Sequence, residues 1–95
     1  MEKIVMIFRK EYNPNTKSYE PIAFIPEAHV SYGRIGCYQH IGQHSEADLA
    51  YYKQTKKATF DEYKELIKEL ECVYSDMKIV IRQRLNYDTL RKSWQ

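Results

Sequence analysis

The sequence predicts a single small α+β domain, in which a mostly antiparallel sheet of about four strands is covered on one face by two to three helices. Three observations support this prediction. The 95 residues provide for one compact domain, spanning residues 1 to 95. Short apolar runs bounded by turn residues are typical of strands, and one longer stretch repeats its apolar residues at helical spacing. The predicted order of elements is β-β-β-α-α-β-α.

Four segments have the pattern of strands. Residues 4 to 8 and 22 to 25 are continuous apolar runs, and the second is bracketed by Pro21 and Pro26. The Asn and Pro residues between them are typical of a turn, so the two runs predict a hairpin. A third strand is predicted over residues 34 to 40. Alternating apolar and charged residues predict a fourth strand over residues 77 to 84.

Three segments have the pattern of helices. The longest covers residues 59 to 74 and begins with a T-x-x-E capping box formed by Thr59 and Glu62. Its apolar residues recur at helical spacing: Phe60, Tyr63, Leu66, Ile67, Leu70, Val73 and Tyr74. A shorter helix over residues 45 to 54 would begin at Ser45, with Asp48 as a reciprocal cap. A terminal helix would carry Leu90 and Trp94 and begin at Asn86 or Asp88.

Composition narrows the class of protein. The 15 Lys and Arg residues against 13 Asp and Glu residues leave a net charge of +2, which does not favour a nucleic-acid partner. Two cysteines are too few for a disulfide scaffold. The apolar run near the N-terminus is shorter than a signal peptide requires and far shorter than the about 20 residues that span a bilayer. We therefore expect a cytoplasmic protein that has no membrane partner.

All three histidines and all three glycines fall within residues 29 to 44, next to the predicted helix start. Glycine permits sharp turns and histidine titrates near neutral pH, so this segment is the candidate site, with His40, Gly42, His44, Ser45 and Asp48 as its residues. A structural turn with hydrogen-bonded histidines explains the same residues, in which Gly42 permits the turn and Ser45 caps the helix.

Three chemical alternatives remain open at this segment. Cys37, His40, His44 and Asp48 have the residue types of zinc ligands, but their spacing matches no strong metal signature, so we expect no cofactor. A nucleophilic pair of Cys37 with a nearby histidine would lack an evident oxyanion hole. The amides at residues 42 to 45 would bind an anion if they began a helix.

Nine tyrosines are too many for the core of so small a domain, so some must be exposed. Tyrosine is favoured at interfaces because it offers a large contact area with few rotamers. We therefore expect a non-enzymatic interaction or regulatory module that binds a protein partner or forms a homodimer. Its binding surface would combine Tyr38, Tyr51 and Tyr52 with residues 40 to 48. The alternative is a metal- or anion-binding protein, or an enzyme, centred on Cys37, His40, His44 and Asp48.

The segment Y-Q-H-I-G-Q-H at residues 38 to 44, followed by Ala47 and Asp48, resembles an uncharacterised family of short bacterial proteins. The phrase A-F-I-P-E at residues 23 to 27 is also similar to the opening of that family. The resemblance implies a bacterial cytoplasmic protein and implies no catalytic activity.

Overall fold

The computed structural model describes residues 2–39 and 44–94. Four antiparallel strands come first, and their bounds are β1 (Glu2–Asn13), β2 (Ser18–Ile25), β3 (Arg34–Tyr38) and β4 (His44–Asp48). β1 and β2 form the predicted hairpin, whose register pairs Ile7 with Phe24. In the hairpin turn the Asn13 side chain accepts a 2.9 Å hydrogen bond from the Asn15 amide, a local interaction for which asparagine is favoured in turns.

The second half of the chain alternates helices with short strands. Its elements are α1 (Leu49–Gln54), β5 (Lys56–Lys57), α2 (Phe60–Val73), β6 (Met77–Ile81) and α3 (Tyr87–Ser93). The sheet runs β4-β3-β2-β1, and β5 and β6 both pair with β1. β6 lies parallel to the N-terminal part of β1, and β5 lies antiparallel beside Arg9 and Lys10.

α2 covers one face of the sheet. Its buried residues Tyr63, Leu66 and Leu70 pack on side chains that β1, β2 and β3 direct to that face. The sheet side chains include Ile4, Met6, Phe8, Ala23, Ile25 and Tyr38. The first turn of the helix is fixed by the Glu62 carboxylate, which accepts a 2.8 Å hydrogen bond from the Thr59 amide, as the predicted capping box requires.

α1 and α3 cover the opposite face. Tyr52 of α1 and Leu90 of α3 pack on the strand residues that point the other way, namely Ile7, Ile22, Phe24, Ile35 and Cys37. The Asn86 side chain caps α3 by accepting hydrogen bonds from the amides of Asp88 and Thr89, which selects Asn86 over Asp88 as the start of this helix.

The predicted α+β class and the mostly antiparallel sheet are confirmed. The structure differs from the prediction in having six strands within residues 2–39 and 44–94 and in placing helices on both faces of the sheet. Both faces are covered because the apolar runs in β1 and β2 are continuous, and a continuous run places apolar side chains on each side of a strand. The third predicted strand ends at Tyr38 rather than at residue 40, and His40 lies outside the described residues.

The predicted helix over residues 45 to 54 is wrong in its first half. Residues 44 to 48 form β4, and α1 begins only at Leu49. Ser45 is therefore not a helix cap, and Asp48, at the N-cap of α1, makes no capping hydrogen bond with its side chain. No helix in residues 2–39 and 44–94 combines the length and the apolar character needed to cross a membrane.

Candidate functional site

β4 forms one edge of the sheet. Its five residues pair with β3, from Asp48 opposite Arg34 to His44 opposite Tyr38. Every residue of β4 except the half-buried Ala47 is exposed. Within the described part of the chain, no strand lies on the other side of β4. An edge of this kind presents backbone hydrogen-bonding groups to solvent.

The direction of these backbone groups follows from the register of the sheet. The carbonyl of Met6 accepts a hydrogen bond from the Arg82 amide of β6. The backbone N–H and C=O of Met6 are therefore directed away from β2, and those of Ile7 are directed towards β2. Because backbone direction alternates along each strand, the register fixes it in every strand of the sheet. The pairs whose backbone groups face each other are Ile7–Phe24, Ile25–Gly36 and Cys37–Ser45. Ser45 and Ala47 consequently bond to β3. The outward backbone groups of β4 belong to His44, Glu46 and Asp48.

On the α2 face, the His44 side chain lies in a cluster of tyrosines. Its Nε2 atom is 2.7 Å from the hydroxyl of Tyr74, and its ring meets that of Tyr38 edge-on at 4.9 Å between centroids. The Tyr38 hydroxyl donates a hydrogen bond to the carboxylate of Glu69. Burial raises the pKa of Tyr74 above its usual range, so this hydroxyl stays protonated at neutral pH. These contacts hold the His44 ring against the end of α2.

On the opposite face, the Sγ atom of Cys37 is 3.2 Å from the Ser45 hydroxyl. Burial raises the pKa of the Cys37 thiol, although the hydrogen bond with Ser45 opposes this shift. A raised pKa disfavours the thiolate, which is the reactive form of cysteine. Because Cys37 and His44 occupy opposite faces of the sheet, His44 is not the partner of Cys37 in the nucleophilic pair that the sequence left open, and His40 lies outside the described residues.

A groove borders β4 on each face of the sheet. The groove on the α2 face has a volume of about 410 Å³ and is lined by Ile25, Ala28, Val30, Gly36, His44 and Glu46 among others. The second groove has a volume of about 330 Å³ and is lined by Ile22, Cys37, Gln39, Ser45, Ala47 and Tyr51 among others. Each groove combines apolar side chains with polar side chains of β4.

The end of β4 that leads into α1 lies beside an aromatic pair formed by the exposed Tyr32 and the half-buried Trp94. Tyr32 is 84% exposed, and its ring centroid is 5.0 Å from that of Trp94. The Trp94 indole donates a 2.6 Å hydrogen bond to the carbonyl of Arg34, whose guanidinium is 3.8 Å from the Asp48 carboxylate. This pair therefore adds apolar surface beside the open edge.

The structure corrects the expected set of exposed tyrosines. Tyr38 and Tyr52 are buried, so neither contributes to a surface patch. Tyr51 is half-buried and lines the second groove. Tyr12 and Tyr19 are exposed at the hairpin end of the sheet, where the ammonium groups of two lysines lie over the Tyr19 ring. The exposed tyrosines therefore lie in separate places on the molecule.

The described members of the predicted metal and anion sites do not converge on one point. His40 and Gly42 lie outside these residues. Cys37 and His44 point to opposite faces, and Asp48 lies near Arg34. Within residues 2–39 and 44–94, no group of three or more His, Cys, Asp or Glu side chains is placed to hold a metal ion. Ser45 lies in a strand, so it offers no helix N-terminus to an anion.

Sequence reasoning missed Glu46 and Gly36 as residues of this site. Glu46 accepts a 2.7 Å hydrogen bond from the Ser31 amide and thereby fixes the loop that borders the first groove. Gly36 lets that loop approach, since a Cβ atom at this position would lie 2.7 Å from the Cβ of Ala28. The roles of Glu46 and Gly36 depend on the pairing of β3 with β4, and no local sequence pattern predicts that pairing.

No protein-family model, no curated protein and no solved structure matches this chain. The resemblance to a family of short bacterial proteins therefore stays a prediction.

Proposed function

We propose that this protein is an interaction module that binds an extended segment of another protein as an added strand along β4. One observation carries the proposal, namely that β4 is an open edge bordered by a groove on each face of the sheet. The proposal requires no cofactor and no chemical reaction.

In strand addition, both the backbone and the side chains of the bound segment are recognised. Hydrogen bonds between backbones provide affinity, and pockets for alternate side chains provide specificity. Glu46 lies at the centre of β4 and directs both its N–H and its C=O outward. Side chains of an added strand would point alternately to the two faces and so reach the groove at Ile25 and Ala28 or the groove at Ile22 and Ala47. Both grooves suit small or medium apolar side chains.

Charge further defines the partner. Glu46 and Asp48 are both exposed on β4, and the Arg34 guanidinium lies 3.8 Å from the Asp48 carboxylate. Opposite charges on directly facing strand residues are stabilising, whereas like charges are destabilising. We therefore infer that the bound segment carries Lys or Arg opposite Glu46, between apolar residues that enter the grooves.

A selection from a library of random linear peptides, displayed on phage and panned against the purified protein, tests this proposal. Glu46→Pro removes an outward N–H while leaving the bonds to β3 intact, and proline is tolerated at such edge positions. It also removes the carboxylate that bonds the Ser31 amide, so its peptide affinity is compared with that of Glu46→Ala, which loses the carboxylate but keeps the N–H. We expect enriched peptides to alternate apolar residues and to include a basic residue. Their affinity for Glu46→Pro should fall by at least about tenfold, since backbone bonds at the centre of the strand are lost.

The matched control is Ile79→Pro in β6, which also removes an outward N–H but at the opposite edge. It should leave peptide affinity unchanged. Binding should also protect the Glu46 amide from hydrogen exchange in NMR spectra of the complex. Equal peptide binding by wild type and a folded Glu46→Pro variant would show that the peptides do not add to β4.

A further inference from the structure

β6 forms a second open edge of the sheet, at the opposite end from β4. It pairs with β1 on one side, and no strand in the described part of the chain lies on its other side. Its apolar residues Met77, Ile79, Val80 and Ile81 are each half-buried. A half-buried apolar edge is a template for pairing with another chain. We propose that this chain is a homodimer in which β6 pairs antiparallel with β6 of a second copy.

The backbone of β6 has the donors and acceptors that this pairing requires. The Arg82 amide donates to the carbonyl of Met6, so the backbone groups of Val80 and Lys78 are also directed towards β1. The backbone groups of the alternate residues are directed outward, namely those of Met77, Ile79 and Ile81. The Met77 amide is already used, since it donates to the carbonyl of Tyr74 at 3.0 Å. The outward donors that remain are the amides of Ile79 and Ile81.

A register centred on Ile79 satisfies these groups symmetrically. Ile79 then faces Ile79 of the second copy, and the two residues exchange both of their hydrogen bonds. Met77 faces Ile81 of the second copy, whose free amide meets the free carbonyl of Met77. The same contact is repeated on the other side of the twofold axis, as an isologous interface requires.

This register is also complementary in charge. It brings Asp76, in the turn that directly precedes β6, towards Arg82 of the second copy, which directly follows β6, and symmetry repeats the pair. Both side chains are exposed, and neither forms an ion pair within residues 2–39 and 44–94.

The charge at β4 favours β6 as the edge that binds a second copy. Self-pairing of β4 in a register centred on Glu46 would place two carboxylates opposite each other, and like charges in that position are destabilising. β6 instead has an uncharged isoleucine at its centre. The two edges therefore differ in the partner that they suit.

α2 adds apolar surface beside the β6 edge. Glu62 and Glu69 lie on one flank of this helix and reach Lys10 of β1 and Tyr38 of β3. The opposite flank of the helix carries Ile67. Ile67 is only partly buried and packs in the same core as Ile79 and Ile81. Pairing of two β6 strands would bring this flank close to its counterpart and bury more of Ile67.

Sedimentation velocity of the purified protein tests the dimer over about 10 to 500 µM, a range in which small interfaces associate. We expect wild type to form a dimer and Ile79→Pro to sediment as a monomer. Asp76→Arg and Arg82→Asp should each raise the dissociation constant by about tenfold, because each places two pairs of like charges at the interface. The double variant Asp76→Arg/Arg82→Asp restores both pairs and should recover the wild-type constant.

The recovery in the double variant distinguishes this register from unspecific loss of folding. Both substituted residues are exposed, so all three charge variants should melt near the wild-type temperature. A wild-type monomer throughout the concentration range overturns the proposal, as does a dimer whose stability is unchanged by these charge substitutions. The proposal does not rest on peptide binding, since Glu46→Pro should leave the dimer intact.

Discussion

Gly36 is the residue on which the shape of the first groove depends most directly. A Cβ atom there would lie 2.7 Å from the Cβ of Ala28 and 3.2 Å from the carbonyl oxygen of Ile25. We expect Gly36→Ala to destabilise the protein by about 1 to 3 kcal/mol, the usual cost of overpacking. The second substitution in Gly36→Ala/Ala28→Gly should recover part of this loss, because it removes one of the two close contacts. Urea denaturation measures both, and a fully additive double variant would contradict the contact.

Glu62 makes the stability of the fold depend on pH in the acid range. Its hydrogen bond with Lys10, at 2.6 Å, and the one from the Thr59 amide lower the pKa of its carboxyl from 4.5 to about 2. A group whose pKa is lower in the folded state stabilises the fold fully above the unfolded value, and that stabilisation is lost as pH falls through the folded value.

We therefore expect the free energy of unfolding of wild type to exceed that of Glu62→Gln above pH 5, and the difference to shrink between pH 4.5 and about 2. Denaturation by urea at several pH values measures this difference. Lys10→Met should raise the pKa of Glu62 in an NMR titration. If the difference in free energy of unfolding between wild type and Glu62→Gln stays constant with pH, the charge of the Glu62 carboxylate does not stabilise the fold.

At the scale of the element, α2 shows what a periodic pattern can and cannot predict. Leu66 is 1% exposed, as its spacing predicts, whereas Phe60, expected in the same core, is 60% exposed. We expect Leu66→Ala to cost about 2 to 5 kcal/mol, because it leaves a cavity in the core. Phe60→Ala is the matched control in the same helix and should cost less than about 1 kcal/mol, typical of a surface site. Thermal or urea denaturation distinguishes the two.

Local sequence predicted the hairpin, α2 and β6 because each has a pattern that a single segment displays by itself, although β6 ends at Ile81 rather than at residue 84. β4 has no such pattern. Glu46, Ala47 and Asp48 lead into a helix-favouring stretch, and only pairing with β3 makes these residues extended. β5 consists of two lysines whose pairing with β1 is equally invisible in the local sequence.

The same limit applies to the candidate site. The histidines and glycines that marked the predicted site lie next to β4, and His44, Ser45 and Asp48 are in that strand. Their alternation between two faces decides which of them can meet, and it separates Cys37 from His44. The register of the strands therefore decides which side chains lie together at this site, and the register depends on contacts between residues that are distant in sequence.

At the scale of the whole molecule, two cores share one sheet. Met6 and Ala23 belong to the core under α2, while their neighbours Ile7 and Phe24 belong to the core under α1 and α3. We expect the slowest amide hydrogen exchange in these central segments, because their opening exposes both cores at once. In β4, exchange should alternate, slow at Ser45, fast at Glu46 and slow at Ala47. NMR detects this order directly, and uniform rates along β4 would contradict the outward direction of Glu46.

The two parts of β1 pair at different stages of protein synthesis. The residues from Glu2 to Met6 find their parallel neighbours only in Met77 to Ile81, whereas the remainder of β1 pairs with β2 soon after the first turn. On a ribosome, the hairpin can therefore close early while the first residues of the same strand wait for almost every later element to emerge. Folding must join distant parts of the chain in its final stage, a property that slows folding and prolongs the exposure of apolar Ile4 and Met6 to other nascent chains.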